Sequence, residues 1–418
     1  MKTLVIGFSI SGKACARLLQ AQGKQVLGVD RKALEMQTAE VVSEEAEIDW
    51  EEIEQVILSP GVPPDHSHVK EALKRGIEVI GEVEFACRFL KNRMVGITGT
   101  NGKTTVTLLA THILQESGRK ARALGNIGES LSGYALCPDE EEILVVELSS
   151  YQLETMEKRC LDAALCLNIT PDHLDRYGSM EEYAKVKCRI GDCLKEGGEW
   201  FVSRKVAKDW GSFLKGARVF EEIASPVAPI SSIQYIQLGL PEQPNIEAVY
   251  PLCRYFGVSD EDFVRALKTF RKPKHRIEYL GECEGIQFYN DSKGTNVDAV
   301  LYAVSLLDGP ITLLAGGKDK GASYRPWIEP FQGKVARIVV FGQAAPKLEA
   351  ELADAFRLVR KESMKEALIA AVQMADRPMN ILLSPGCSSF DAFQSYEHRG
   401  NEFKRMVEEK VWIEKKRS

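Results

Sequence analysis

The sequence predicts an α/β protein of three domains, each built on parallel strands with helices between them. The chain has 418 residues, and at about 100–200 residues per domain this length predicts two to four domains. Short apolar runs alternate with amphipathic stretches in three successive sets, which is the pattern of repeated strand–helix–strand units. Hydrophobic residues make up 44% and charged residues 27% of the chain, values that exclude a disordered or fibrous protein.

Net charge and cysteine usage narrow the kind of protein further. With 54 basic and 60 acidic residues the net charge is −6, which argues against a nucleic-acid partner. No run approaches the roughly 20 apolar residues that span a bilayer, so we expect no membrane insertion. The ten cysteines are scattered and predict reduced thiols. The apolar start of the chain is too short for a signal peptide, so we expect a cytoplasmic protein, which we take to be a monomer.

The first 92 residues predict a Rossmann-like N-terminal sheet. The predicted strands are residues 4–6, 26–29, 56–58 and 79–80, and the predicted helices are residues 13–22 and 66–75. Ligands of such sheets bind beyond the carboxyl ends of the strands, where loops 7–12 and 59–61 lie. The first loop matches the dinucleotide fingerprint G-x-G-x-x-G except at Ser9, and Asp30 ends the second strand. Two interpretations of this loop remain possible: a site for a nucleotide phosphate, and a tight turn that binds no ligand.

The strongest motif is the glycine-rich loop at residues 99–105, which opens the second set. A predicted strand runs into Gly-Thr-Asn-Gly-Lys-Thr-Thr, and a predicted helix follows. Gly99 and Gly102 allow the backbone to turn its N–H groups towards a polyphosphate. Lys103 can reach the β- and γ-phosphates, and the Thr104 hydroxyl can bind Mg²⁺. The motif predicts a central mononucleotide-binding domain similar to P-loop ATPases.

Three further features of the second set carry candidate chemistry. An apolar run ends at Glu147, and an acid at the end of a strand beside a phosphate loop is well placed to hold Mg²⁺. The polar cluster 168–177 contains His173, which could bind a metal, act as a base or cap a helix. Tyr183 and Lys187 are four residues apart and share a helix face, where an isolated lysine is most often solvated.

The third set predicts a C-terminal Rossmann-like α/β domain. The helical pattern weakens after residue 196, and the basic, proline-containing stretch 271–274 is typical of a linker. The strands beyond it are predicted near residues 286–289, 311–315, 338–341 and 381–383. Polar loops that follow three of these strands cover residues 290–296, 316–320 and 384–391.

These loops, in this order, resemble those of the Mur ligase family, the ATP-dependent amino-acid ligases of peptidoglycan synthesis. The resemblance spans nearly the whole chain. Its family-wide marks are residues 99–105, 172–173, 291–293 and the Gly-Gly pair at 316. The segments 383–391 and 396–403 are most similar to the members that add D-glutamate, and the sequence has no Asp-Asn-Pro-Arg motif of the diaminopimelate-adding members.

The resemblance implies an ADP-forming ligase that adds D-glutamate to UDP-N-acetylmuramoyl-L-alanine through an acyl phosphate. It implies a UDP-sugar-binding domain at 1–92, a central ATP-binding domain at 93–272 and a C-terminal amino-acid-binding domain at 273–418. It also implies ATP, two Mg²⁺ ions and a carbamate, made from CO₂, on Lys187. A carbamate is needed because a lysine ammonium group cannot bind a cation.

The resemblance also implies the site residues, which we group by ligand. The catalytic residues are Lys103, His173 and Lys187. The Mg²⁺ ligands are Thr104 and Glu147 for one ion, and His173 and Lys187 for the other. The ATP-binding residues are Gly99, Thr100, Asn101, Gly102, Lys103, Thr104, Thr105, Asn245, Arg276 and Asp291. The UDP-sugar-binding residues are Ile10, Ser11, Arg31, Lys32, Ser59, Pro60, Gly61 and Asn126. The D-glutamate-binding residues are Thr295, Lys320, Ser389, Phe390 and Tyr396.

Two loops depart from the family pattern. Loop 241–248 keeps Asn245 but has Ala248 at the second asparagine position, and loop 316–320 reads Gly-Gly-Lys-Asp-Lys. The alternatives are a Mur ligase that uses another amino acid, and an ATP-binding scaffold without ligase chemistry. A folylpolyglutamate synthase would share the middle-domain chemistry but lacks a UDP-binding module such as residues 1–90.

Overall fold

The computed structural model describes residues 1–31 and 39–415. Lys32, one of the predicted sugar-binding residues, lies outside them. The described residues form three β-sheets of five, six and six strands, with helices between the strands. The predicted α/β class with three sheets is confirmed. No helix in these two ranges is long and apolar enough to cross a membrane.

The first sheet contains five parallel strands in the order β3-β2-β1-β4-β5. The strands are β1 (Lys2–Ile6), β2 (Gln25–Asp30), β3 (Glu40–Ser43), β4 (Ile53–Leu58) and β5 (Glu78–Gly81). The helices are α1 (Ile10–Ala21), α2 (Ser67–Lys74) and α3 (Glu82–Cys87). The four predicted strands and two predicted helices are confirmed. The sequence did not predict β3, whose Glu-Val-Val-Ser has only two apolar residues, nor α3.

Both faces of the first sheet are buried, because alternate residues of each strand enter different cores. Val5 packs with Leu18 and Phe85 of α1 and α3 on one face. Leu4 packs with Val69 of α2 on the other face. The continuous apolar runs of the sequence therefore reflect a sheet covered on both sides.

The second sheet contains six parallel strands in the order β11-β10-β9-β6-β8-β7. The strands are β6 (Met94–Thr98), β7 (Ala121–Gly125), β8 (Ile143–Glu147), β9 (Leu161–Cys166), β10 (Leu194–Val202) and β11 (Arg218–Val219). The helices in this part of the chain are α4 (Lys103–Glu116), α5 (Leu131–Tyr134), α6 (Ser150–Leu153), α7 (Leu174–Tyr177), α8 (Met180–Cys188), α9 (Arg204–Trp210), α10 (Ser232–Gln237), α11 (Gln243–Tyr255) and α12 (Asp260–Thr269). Of these, α7 and α10 belong to the compact unit that contains the third sheet. Strand β6 lies between β8 and β9, so the loop that follows it leaves from the middle of the sheet.

The third sheet has the order β12-β13-β17-β14-β15-β16. The strands are β12 (Glu278–Cys283), β13 (Ile286–Asn290), β14 (Ile311–Gly316), β15 (Val335–Phe341), β16 (Leu358–Arg360) and β17 (Met379–Leu383). The helices are α13 (Val297–Leu306), α14 (Ile328–Phe331), α15 (Ala345–Leu352), α16 (Met364–Gln373) and α17 (Tyr396–Lys415). The four predicted strands are confirmed. The edge strand β12, which was not predicted, is antiparallel to β13.

The described residues form two compact units. One comprises residues 1–169, 179–226 and 245–267, and the other comprises 170–178, 227–244 and 268–418. The segments 170–178 and 227–244 of the predicted central domain thus belong to the second unit, and the predicted domain boundaries stay a prediction. In that unit, the expected linker 271–274 is irregular, but Lys272 is buried in an ion pair with Glu242.

Two buried carboxylates join the first two sheets within the first unit. Glu82, at the start of α3, accepts the N–H of Ser132 in α5 at 2.7 Å. Glu84 accepts the N–H groups of Glu157 and Lys158 at 2.9 and 2.8 Å. Burial raises the pKa of Glu82, and the backbone donors offset part of the cost of removing the carboxylate from water.

Trp327 allows a test of the core of the third sheet. It is fully buried, donates its indole N–H to the Val297 carbonyl at 3.0 Å and stacks on Phe331. We expect Trp327→Ala to lower the free energy of unfolding by about 3–5 kcal/mol because a large cavity forms. The measurement is urea unfolding followed by circular dichroism. Leu238→Ala is the control, at a side chain that is 57% exposed, and should change the free energy of unfolding by less than about 0.5 kcal/mol. Equal effects of the two substitutions would contradict the burial of Trp327 in this core.

Candidate active site

The loop between β6 and α4 has the backbone shape that the sequence predicts. Gly99 has φ +152° and Gly102, which precedes the first residue of α4, has φ +87°. Residues with a Cβ rarely adopt these angles. A Cβ at Gly102 would also lie 3.2 Å from the Asn245 Oδ1 atom. The loop therefore turns into the N-terminus of a 14-residue helix, a geometry that favours phosphate oxygens, and it lies beside the predicted ATP residue Asn245.

Asn168, which follows β9, holds this loop in place. Its carbonyl oxygen accepts the Thr100 N–H at 2.9 Å. Its side chain accepts the Asn101 N–H at 2.8 Å and donates to the Asn101 carbonyl at 3.0 Å. Asn168 belongs to the polar cluster 168–177, but the sequence predicted no role for it. Its position directly after a strand next to β6 is the signal that could have identified it.

Two lysines converge on the carbonyl oxygen of Gly99. The Nζ atom of Lys103 lies 2.8 Å from this oxygen, and that of Lys187 lies 2.9 Å from it. Lys187 is only 1% exposed, and its Nζ lies 4.9 Å from the ring centre of Tyr183. The Tyr183 hydroxyl lies 3.2 Å from the Thr100 hydroxyl. The predicted shared helix face of Tyr183 and Lys187 is confirmed. The interpretation of Lys187 as a solvated lysine is wrong, because α8 packs this face against the phosphate loop.

Glu147 ends β8 beside Ile97 of β6. It is 2% exposed, and its Oε1 atom accepts the Asn126 side-chain amide at 2.8 Å. Its Oε2 atom is buried and has no hydrogen-bond partner within the part of the chain that the structure describes. A buried carboxylate oxygen without a donor is costly, so this position suits a cation. The contact also brings Asn126, predicted on the sugar side, against the predicted magnesium ligand.

The loops after β1, β2 and β4 are tied to one another. The Ser59 hydroxyl donates to the Gly7 carbonyl at 2.6 Å, and the Phe8 N–H donates to Asp30 at 2.6 Å. A Cβ at Gly12 would lie 2.0 Å from the Gly7 carbonyl oxygen. The first turn of α1 can therefore pack against Gly7 only with glycine at position 12. The Asp30 carboxylate thus binds the chain's own backbone, at the position where a dinucleotide-binding fingerprint places an acid that binds ribose.

Most predicted sugar-binding residues lie together at this edge of the first sheet. Because β2, β1 and β4 are neighbours, their carboxyl ends bring the following loops together. The residues at these ends are Ile10, Ser11, Arg31, Ser59, Pro60 and Gly61. Ile10 is 77% exposed, so its side chain is accessible to a ligand at this edge. Asn126 lies after β7, in the second sheet.

Asp291 follows β13 in the second unit, where Arg276 also lies. Its carboxylate accepts the Ser384 hydroxyl at 2.7 Å and the Ile277 N–H at 3.2 Å. Burial raises the pKa of Asp291 to about 7, although these hydrogen bonds and Arg276 oppose the rise. Near neutral pH the carboxylate is therefore poised between its two protonation states.

A cavity of about 590 Å³ lies within the second unit. His173, Thr295 and Lys320 line it together. The Asp172 side chain, also in its lining, accepts the Asn296 amide at 3.2 Å. His173 occupies the N-cap position of α7 with φ 54°, but among the described residues its side chain makes no capping hydrogen bond. The helix-cap interpretation of this imidazole is therefore not supported.

The other predicted D-glutamate residues lie outside the lining of this cavity. Ser389 is buried, whereas Phe390 is 68% exposed. Tyr396, in the first turn of α17, lies with its ring 4.1 Å from the Lys293 Nζ atom. The structure thus brings Thr295 and Lys320 together but does not bring these three residues into the same cavity.

The unusual order Lys318-Asp319-Lys320 has a local explanation. Asp319 lines the cavity next to Lys320. Its carboxylate accepts the Tyr324 hydroxyl at 2.9 Å and pairs with Lys347 at 3.1 Å. Lys347 therefore compensates the Asp319 charge, and Lys320 can still attract an anion into the cavity.

His275, which the sequence reasoning missed, lies next to Arg276. It is 4% exposed and its Nδ1 atom lies 2.8 Å from the Asn290 amide nitrogen. Because an amide N–H can only donate, Nδ1 accepts and the ring proton belongs to Nε2. Burial lowers the pKa of His275, which favours this neutral form. Its signal in the sequence was only its proximity to Arg276.

Three family models match the chain in succession. The Mur ligase MurD-like N-terminal domain matches residues 1–81, the Mur ligase middle domain matches 97–219, and the Mur ligase glutamate ligase domain matches 275–387. A relative from Protochlamydia amoebophila, named UDP-N-acetylmuramoylalanine--D-glutamate ligase, is 44% identical over 434 residues and covers 97% of each chain.

Solved structures with low sequence identity share the fold. The MurF ligase of Thermotoga maritima in complex with ADP superimposes with a TM-score of 0.61 at 16% identity, covering 94% of this chain and 96% of that one. MurC of the same organism gives a TM-score of 0.58 at 16% identity, covering 98% and 100%. Since the match to the 44% identical relative extends along nearly all of both chains, this chain belongs to the Mur ligase family.

Proposed function

We propose that this protein is an ADP-forming ligase that joins D-glutamate to the alanine carboxylate of UDP-N-acetylmuramoyl-L-alanine, in cytoplasmic peptidoglycan precursor synthesis. The observation that carries the substrate assignment is the 44% identity, over 97% of both chains, to a relative with that name. The geometry of the phosphate loop supports the use of ATP. All ten cysteines are free thiols, which supports a reducing compartment. We propose that the enzyme acts as a monomer.

The phosphates of ATP are held by the loop and by the N-terminus of α4. The N–H groups of residues 99–105 and the helix dipole attract the β- and γ-phosphates. Lys103 lies on the carbonyls of Gly99 and Thr100, and it exchanges these contacts for phosphate oxygens when ATP binds. Asn245 lies beside Gly102 and serves the adenine side, whereas Arg276 and Asp291 serve the phosphate and the ribose.

Thr104 and Glu147 are the proposed ligands of one Mg²⁺ ion, and His173 and Lys187 of a second. The unpartnered, buried Oε2 atom of Glu147 supports the first assignment. Each ion has two proposed protein ligands, and phosphate oxygens and water would complete the coordination. Mg²⁺ bound here would neutralise charge on the transferred phosphoryl group. Asn126 orients Glu147 by holding its other oxygen.

Lys187 becomes a metal ligand by reaction with CO₂. Its neutral amine attacks the carbon of CO₂, an N–C bond forms, and one N–H proton leaves to solvent. The product is a carbamate anion that keeps one N–H. That N–H can retain the hydrogen bond to the Gly99 carbonyl, which Lys187 already makes at 2.9 Å. The buried position of Lys187 supports this role, because it shields the carbamate from hydrolysis.

The reaction has two balanced steps. The alanine carboxylate attacks the γ-phosphorus of ATP, and the bond from this phosphorus to the β-γ bridging oxygen breaks. The products are an acyl phosphate and ADP. The D-glutamate ammonium group then loses a proton, and its neutral amine attacks the acyl carbon. The amide forms as the nitrogen releases a second proton and inorganic phosphate leaves. The edge of the first sheet at residues 10–11, 31 and 59–61 is the proposed sugar site. Thr295 and Lys320 line the proposed amino-acid cavity, with Ser389, Phe390 and Tyr396 assigned to the same ligand.

A panel of amino acids tests the substrate assignment. Purified protein with ATP, Mg²⁺ and UDP-N-acetylmuramoyl-L-alanine should release phosphate and form an amide with D-glutamate only. The readouts are phosphate release and mass spectrometry of the product, with L-glutamate as the matched control. Turnover with L-alanine or diaminopimelate instead would overturn the amino-acid assignment, and ATP binding without any amide would overturn ligase chemistry.

Glu147→Gln tests the first magnesium site. Glutamine can keep the hydrogen bond from Asn126 but carries no charge, so we expect the Mg²⁺ concentration for half-maximal rate to rise by about 10-fold or more. The measurement is a Mg²⁺ titration of the amide-forming rate. Glu141→Gln, at a side chain that is 77% exposed, is the control and should leave the titration unchanged. A wild-type titration curve for Glu147→Gln would remove Glu147 from the site.

Lys187→Arg tests the carbamate. An arginine cannot form it, so we expect kcat to fall by about 10²-fold or more. The wild type incubated with ¹³C-bicarbonate should show a carbamate signal by NMR that Lys187→Arg lacks. Lys185→Arg is the matched control because Lys185 lies two residues away on α8 and its side chain is 61% exposed. If Lys185→Arg alone loses the signal and the activity, the assignment belongs to Lys185.

A further inference from the structure

Arg399 is a buried cation that the proposed mechanism does not use. It lies in the first turn of α17 and its side chain is fully buried. Burial lowers the pKa of Arg399 to about 10, so the guanidinium is still protonated at neutral pH. Removing such a charge from water is costly unless hydrogen bonds compensate it.

The partners of this guanidinium are almost entirely main-chain oxygens. Its N–H groups donate to the carbonyls of Ser292 at 2.9 Å, Gly316 at 3.4 Å, Cys387 at 3.1 Å and Ser388 at 3.2 Å. Its Nε–H donates to the Ser292 hydroxyl at 3.0 Å. These hydrogen bonds restrict where the backbone can lie, because each carbonyl oxygen must approach the N–H donors in the plane of the guanidinium.

These carbonyls belong to three different loops. Ser292 follows β13, Gly316 ends β14, and Cys387 follows β17. In the sheet, β13, β17 and β14 are adjacent, so one planar group joins the carboxyl ends of three neighbouring strands. A Cβ at Gly317 would lie 2.9 Å from the Arg399 Nη1 atom. It would lie closer still, at 2.2 Å, to the Ser388 carbonyl oxygen. The packing of the second loop against the third, beside the guanidinium, therefore requires glycine there.

Each of the three loops carries a residue assigned to D-glutamate. Thr295 lies three positions after Ser292, Lys320 lies four after Gly316, and Ser389 lies directly after Ser388. The relative positions of these residues depend on how the three loops are held. Lysine could not replace the contacts, because its single ammonium group cannot donate in one plane to all three loops.

We propose that Arg399 is a positioning residue of the amino-acid site. Its guanidinium sets the spacing of the three loops and thereby the geometry in which D-glutamate is bound, without touching the amino acid. This inference rests on the proposed function. It predicts a larger defect for the amino-acid substrate than for the sugar substrate, because the proposed sugar-binding residues lie in the other compact unit.

Steady-state kinetics of Arg399→Lys test the inference. The wild type must first form the amide with D-glutamate; if it does not, the proposed function fails and not this inference. For the variant we expect the KM for D-glutamate to rise by about 10-fold or more, because small displacements of binding groups are costly. The KM for UDP-N-acetylmuramoyl-L-alanine should stay within about 2-fold, since its site is unperturbed.

The matched control is Arg405→Lys on the same helix. Arg405 has a side chain that is 55% exposed and pairs with Glu402 and Glu409, so both KM values should stay at wild-type levels. A variant Arg399→Lys with a lower melting temperature but an unchanged KM for D-glutamate would show a purely structural role and overturn the proposal. Equal rises of both KM values would also overturn it.

Ser292→Ala keeps the test decisive if Arg399→Lys does not fold. It removes the hydroxyl that accepts from the Nε–H of Arg399 and leaves the guanidinium in place. A rise of several-fold in the KM for D-glutamate alone would support the proposal. Wild-type values for both substrates would contradict it.

Discussion

The Gly99 carbonyl oxygen receives two lysine ammonium groups, and the arrangement of the candidate ATP site depends on this contact. Lys103 reaches it from the helix that begins at the loop, and Lys187 reaches it from a helix more than 80 residues later in the chain. Asn168 holds the next two residues of the loop from a third element. The loop is therefore placed by contacts from several parts of the sheet edge, so its N–H groups are oriented before a phosphate arrives.

Both compact units contain buried charges that stability alone would not favour. Glu147 has an oxygen without a donor among the described residues, burial raises the pKa of Asp291 to about 7, and Arg399 is a fully buried cation. Each group costs free energy in the unliganded protein. A metal ion would offset the cost at Glu147, whereas the carbonyl oxygens that accept from Arg399 offset part of its cost within the protein itself.

Parallel strands explain why polar loops gather at one edge of each sheet. All strands of the first two sheets, and all but β12 of the third, run parallel to their neighbours. Each parallel crossover returns the chain to the same side, so polar loops distant in sequence gather at the carboxyl ends. Loops 7–12 and 59–61 meet in this way in the first sheet, and loops 291–295, 316–320 and 384–389 in the third.

Much of the candidate site could be predicted from the sequence because some of its chemistry is local. The conformational needs of Gly99 and Gly102, the four-residue spacing of Tyr183 and Lys187, and the acid that ends β8 are set by neighbours along the chain. Asn168 and His275 escaped prediction for the opposite reason. Asn168 bonds a residue 67 positions away and His275 one that is 15 positions away, and nothing in their local pattern distinguishes them from ordinary loop residues.

By itself, the sequence determined the α/β class, the apolar strands, the position of the phosphate loop and the family resemblance, because hydrophobic period and backbone preference act over a few residues. Only the tertiary structure decided that Asp30 binds backbone, that Asn126 contacts Glu147, and that β12 pairs antiparallel. It also decided that Arg399 joins three loops. These outcomes depend on which segments meet after folding, and burial and pairing between distant residues are properties of the packed chain rather than of any short stretch of it.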